Sequence, residues 1–148
     1  MVDKLLIGVS MYISLLNKYA QDIDFSEVQP AATEQEVLEA ENQLNLLFPD
    51  ELKDFLYETN GDNFLCLSLN RIIADNLRLR KTIDTSLFDL SNFLFIATNG
   101  CGDYYGYQIE NGTIQSTSIY IWDHEEFEAK LVASSISELI IGYYQNQI

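Results

Sequence analysis

Cys66, Cys101 and the single histidine, His124, are the residues of this 148-residue chain whose types suit nucleophilic catalysis. A triad also needs a carboxylate to orient the imidazole, and Asp103, Asp123 or Glu125 could serve. No fixed spacing ties these residues together. Cys101 sits in Asn99–Tyr107, N-G-C-G-D-Y-Y-G-Y, where small-residue packing in a tight turn accounts for it without chemistry. Acid–base work by Asp103 and Asp123 is a second option, but 23 acidic residues bring two carboxylates together by chance. The run Asp123-His124-Glu125-Glu126 offers ligands to a divalent cation, although alternate strand residues point to opposite faces. The glycine-rich stretch lacks the lysine of a phosphate loop and leads into tyrosines, not a helix. With one histidine and no CxxC spacing, neither a metal nor a cofactor is expected. No catalytic residue is assigned, and the chain is not read as an enzyme.

Eight Lys and Arg against 23 Asp and Glu give a formal charge of −15 and a pI near 4.1. Such a field opposes direct nucleic-acid binding and speeds encounter with a basic partner. A hydrophobic share of 47% is that of a globular chain, and the length suits one domain over 1–148. Two free thiols suit a reducing cytoplasm. The apolar run Leu5–Leu16 is too short to span a bilayer and reads as a core helix, so no membrane association is expected.

The elements that must position these residues follow from periodicity. A helix is expected over 4–19, with Leu5, Leu6, Val9, Tyr12, Ile13 and Leu16 in one stripe. Thr33 and Glu36 form a capping box for a second helix, whose apolar face carries Val37, Ala40, Leu44 and Leu47. Pro49 opens a third helix, and Asn60-Gly61 supplies its left-handed stop. Asn63–Leu69 alternates like a strand, Arg71–Lys81 reads as a helix or irregular segment, and Phe93–Ala97 is a buried strand. The turn at Gly100 and Gly102 leads to a strand from Tyr104, with Gly106 counted among the turn glycines. Asn111-Gly112 makes a hairpin, and Ile119–Trp122 and Lys130–Ala133 continue the sheet. Ser135 and Glu138 form a second capping box for a last helix. The class is α+β: a mostly antiparallel sheet of about five to six strands, flanked by N-terminal helices and one C-terminal helix.

Tyr104, Tyr105 and Trp122 lie on neighbouring strands. Any of them facing outward beside Asp103, Asp123, His124 and Glu125 would form an amphipathic acidic contact surface.

The ordered set of motifs resembles the SMI1/KNR4 family of the SUKH superfamily over about residues 33–144. The set comprises Thr33-Glu34-x-Glu36, Phe48-Pro49-Asp50-Glu51-Leu52-Lys53-Asp54-Phe55-Leu56, Thr59-Asn60-Gly61, Phe95-Ile96-Ala97, Gly100-x-Gly102-Asp103-Tyr104-Tyr105, Ile119–Glu125 and Val132–Ser135. Cys101 departs from the family's usual small residue. Residues 1–30, taken as a helical extension, have no clear counterpart, and the stretch between Gly61 and Phe93 aligns poorly. The resemblance implies a non-enzymatic binding domain. Bacterial members look like immunity proteins that neutralise toxin domains, often basic nucleases. Fungal members look like scaffolds or regulators of cell-wall glucan synthesis, and a small-ligand module beside Asp103 is the remaining alternative.

Overall fold

A computed structural model describes residues 11–148. Among the described residues four helices come first: α1 (Met11–Tyr19), α2 (Glu34–Leu44), α3 (Asp50–Leu56) and α4 (Leu69–Thr82). A 3-10 turn at Leu90–Asn92 leads into β1 (Phe93–Thr98), β2 (Tyr104–Gln108), β3 (Ile119–Asp123) and β4 (Glu128–Ala133), and α5 (Ile136–Tyr144) closes the chain. The strands form one antiparallel sheet in sequential order, so the architecture is α+β.

Local chemistry explains the helix limits. The Thr33 hydroxyl accepts from Glu36 N–H and the Glu36 carboxylate accepts from Thr33 N–H, completing the box that starts α2. Asn45, at φ 51°, ends it. Pro49 stands at the N-cap of α3, with Asp50 and Glu51 in the first turn. Ser68 accepts from Arg71 N–H to start α4. Ser135 accepts from Glu138 N–H to start α5, but the Glu138 carboxylate bonds the Ser134 hydroxyl, so this second box is half formed.

Both faces of the sheet are loaded with apolar side chains. Leu94, Tyr105, Tyr107 and Ile119 share the face toward α3 and α5, where the Tyr107 hydroxyl donates to Glu51 at 2.6 Å and Tyr105 meets Tyr143 edge to face. Phe93, Phe95, Tyr104, Tyr120 and Trp122 share the other face, toward α4 and Phe88. The outer edge of β1 is sealed. Asn76 from α4 exchanges two hydrogen bonds with Phe95, each 2.8 Å, and Arg80 donates to Phe93 O at 3.0 Å. Beyond them, Leu67 N–H donates to Ile96 O at 2.9 Å, and Leu65 O accepts from Thr98 N–H at 3.0 Å.

Several expectations are corrected. The described sheet has four strands, not five to six. Asn63–Leu69 is a tight turn with one bridge, Cys66 to Ala97, because the Asp62 carboxylate takes the N–H groups of Phe64, Leu65 and Cys66 that a strand would offer a neighbour. α2 stops before Leu47, which is 73% exposed. α3 ends at Leu56, ahead of Asn60-Gly61. Those two residues instead hold the next turn: Asn60 caps Leu69 N–H at 2.7 Å, and Gly61 lets the chain pass against the 66–68 backbone. Gly106 lies inside β2, not in a turn, where a Cβ would sit 2.2 Å from the Leu94 carbonyl oxygen. The helix expected over 4–19 is seen from Met11; residues 4–10 lie outside the described residues.

Candidate functional site

The β1–β2 loop and the end of β3 meet at one corner of the sheet. Thr98 ends β1, and its hydroxyl donates to Asp103 O at 2.8 Å, closing the loop on itself. Asn99 Nδ2 donates to Asp103 Oδ2 at 3.0 Å. Asp103 Oδ1 receives the His124 backbone N–H at 3.0 Å and lies 2.6 Å from His124 Nδ1. Gly102 makes this possible. At φ +103° it directs the turn, and a Cβ there would stand 2.9 Å from the imidazole that rests against it.

Asp103 and His124 stabilise each other's charged forms. The hydrogen bond to Asp103 pushes the His124 imidazole above its ordinary 6.5, with the Asp103, Glu125 and Asp123 charges adding. Partial burial raises the Asp103 carboxyl, but bonds from the His124 ring and backbone and from Asn99 outweigh it and hold the group below 3.8. The exposed ring nitrogen, Nε2, has Glu125 Oε1 at 3.9 Å. Asp123 Oδ1 accepts from Glu125 N–H at 2.8 Å and Glu126 N–H at 3.1 Å, which curls the β3–β4 turn and leaves Glu125 and Glu126 exposed.

Three expected contact residues therefore come together: Asp103, Asp123 and His124, with Glu125 at the rim. The aromatic ones do not join them. Trp122 is 1% exposed among Phe88, Phe95 and Phe127, and its indole N–H has no acceptor among the described residues. Tyr104 is buried, donates to Asp75 at 3.0 Å and accepts from Arg78 at 3.0 Å. Tyr105 is buried against Tyr143, and its hydroxyl is pushed up to about 12, first by burial and then by the charges of Tyr143, Asp103 and Cys101. Alternation had left open which aromatic residues point inward. All three do.

The arrangement supplies half of a triad. Asp103 orients His124 as an orienting carboxylate would, but Cys66 is buried with its thiol pushed up by desolvation, and the exposed Cys101 lies toward Tyr105 and Tyr143. Among the described residues, neither thiol hydrogen-bonds His124. Ligand atoms of Asp103, Asp123 and His124 lie within 4.8 Å of one another, so Asp123 and His124 present ligand atoms to one side where strand alternation predicts that neighbours point apart. Asp103 and Asp123 already accept backbone N–H groups there. The sequence also gave no sign of the buried carboxylates Asp62 and Asp75. Asp75 pairs with Arg71 at 2.6 Å, which accounts for part of the basic stretch on α4.

An α+β domain with one four-stranded meander, helices on both faces and an acidic corner at the β2 and β3 ends is the class defined here. Residues 31–142 match the model of the SMI1 / KNR4 family (SUKH-1), and the chain belongs to that family. No curated protein matches it. No described helix is long and apolar enough to cross a membrane.

Proposed function

We propose that this chain is a non-enzymatic protein-binding domain, an immunity protein that binds and neutralises a basic toxin domain in the cytoplasm. The observation that carries the reading is the formal charge of −15 on a family member, with Asp123, Glu125, Glu126 and Glu128 strung along one turn beside the Asp103–His124 pair. Fixed carboxylates around a corner with half-exposed His124 favour a cationic protein surface over a small neutral substrate. The Cys and His geometry gives no assembled nucleophile, which also supports binding over catalysis. The test uses the toxin-like product encoded beside this chain's gene. A one-to-one complex is expected, with an association rate falling roughly tenfold or more between low and high salt. Absence of a complex, or a rate indifferent to salt, refutes the proposal.

A further inference from the structure

The two edges of the sheet are treated differently. β1 is closed by Asn76, Arg80 and the Leu65–Leu67 strap, whereas no described element pairs with the outer edge of β4. That open edge carries Lys130 and Leu131, the latter 62% exposed. Leu131 sits opposite Tyr120 in the register, on the face that carries Trp122, and the Phe127 ring packs on Trp122. Glu128 and Lys130 lie across from Asp123 and Ile121 and so share the opposite face.

The order of these side chains is self-complementary. Consider a second copy laid antiparallel along β4, with the two-fold axis at Ala129. Each Glu128 then stands opposite Lys130 of the second copy, and each Leu131 comes beside the turn of the second copy whose Phe127 ring packs on Trp122. Both ion pairs fall on one face and both apolar contacts on the other, and cross-strand ion pairs are among the units that stabilise antiparallel sheets. Within one chain Lys130 pairs with its own Glu128 at 3.0 Å. We propose that the β4 edge is a homodimer interface, in which two sheets join through β4 into one eight-stranded sheet. Phe127, at φ 54°, leaves the extended conformation just before β4, which limits the new ladder to Glu128–Lys130, so the contact is short and readily reversible. It stands independently of the toxin reading.

The test is the mass of the full chain by light scattering and sedimentation velocity, over a dilution series at about 0.15 M salt. A concentration-dependent dimer is expected. Lys130→Glu faces Glu with Glu and should weaken the dimer roughly tenfold. Adding Glu128→Lys to that variant restores opposite charges across the axis and should recover most of the affinity. Leu131→Ser should weaken association with the charges untouched, and far-UV circular dichroism checks that each variant folds. A wild-type chain that stays monomeric throughout overturns the proposal. So does a dimer indifferent to Lys130→Glu, or a double variant as weak as the single one.

Discussion

Replacing Asp62 should cost more stability than replacing any carboxylate at the acidic corner. Its side chain is wholly buried. Oδ1 accepts from Phe64 N–H at 3.2 Å, Leu65 N–H at 2.9 Å and Cys66 N–H at 2.8 Å. Oδ2 accepts from the Ser26 hydroxyl at 2.8 Å and from the Tyr144 hydroxyl. One carboxylate thus joins the loop before α2, the turn before α4 and the end of α5. Asp62→Ala strips five donors of their acceptor, and the N–H groups of Leu65 and Cys66 belong to buried residues. At ~1–3 kcal/mol for each donor left buried and unpaired, those two alone give about 4 kcal/mol. Domains of this size are stable by ~5–15 kcal/mol, and each kcal/mol moves the melting point by ~2–4 °C, so Tm should fall by about 8–16 °C. Asp62→Asn keeps one carbonyl for the N–H groups, while the two hydroxyls can rotate to accept from the amide, so about 1–2 kcal/mol is expected. Tyr144→Phe should cost about 1 kcal/mol. Urea unfolding followed by circular dichroism reads all three. An alanine variant losing under ~1 kcal/mol, or an asparagine variant as damaged as alanine, would show that these bonds do not hold the turn.

Gly106→Ala should cost about 3 kcal/mol or abolish folding, because the new methyl meets the Leu94 backbone, which cannot yield without parting β1 from β2; a thermal melt within a degree or two of wild type contradicts this. The raised His124 group lends stability that is complete below pH 6.5 and is lost as pH rises through its folded value. The lowered Asp103 group lends stability that is complete above pH 3.8 and is lost as pH falls through its own folded value. Their pairing is therefore fullest between those limits, and Asp103→Asn should return the His124 NMR titration toward 6.5; an unmoved titration rejects the pairing. In the native protein a thiol reagent should modify Cys101 rapidly and Cys66 only on unfolding, since burial both shields the Cys66 thiol and disfavours its thiolate; equal rates contradict the burial.

Where a local rule had no competitor, the fold was legible. Thr33 and Glu36 make the box that their spacing announces, Pro49 begins α3, and the β2, β3 and β4 segments pair in sequence order. Where a side chain displaced a backbone partner, it was not. The alternation of Asn63–Leu69 is real, but Asp62 takes the N–H groups of Phe64, Leu65 and Cys66, Asn60 takes that of Leu69, and Ser68 caps Arg71 N–H, so the stretch becomes a strap and a helix start. Leu47 kept helical phase on paper, yet Asn45 had already adopted a left-handed conformation. The inward turn of Tyr104, Tyr105 and Trp122 had no signature because both sheet faces are covered, so the usual apolar and polar alternation that reveals the solvent side is absent. The Asp103–His124 pair joins residues 21 apart, through a turn that periodicity does not describe.

The acidity that marks this chain does two unlike jobs, and the structure separates them. Glu51 accepts from Ile136 N–H at the start of α5 and from Tyr107, and Glu58 accepts from Tyr12 and Ile13 N–H in α1. Glu41 accepts from Phe48 N–H before α3 and has Lys53 within 3.4 Å. With Asp62, these carboxylates bind peptide groups from other segments and so replace the backbone ladder where loops and helix ends leave donors open. Burial raises Glu51 and Glu58, while their hydrogen bonds act in the opposite sense, the balance expected of carboxylates kept for their acceptor oxygens and not for their field. Glu125 and Glu126 are exposed and, among the described residues, contact only their own turn and its neighbours, so their charge faces whatever approaches. Neutralising that pair to Gln should leave the melting point nearly unchanged and slow association with a cationic partner, whereas Glu51→Ala should lower the melting point directly. If the Glu125 and Glu126 change destabilises the fold as much as the Glu51 change, the division between structural and steering carboxylates fails.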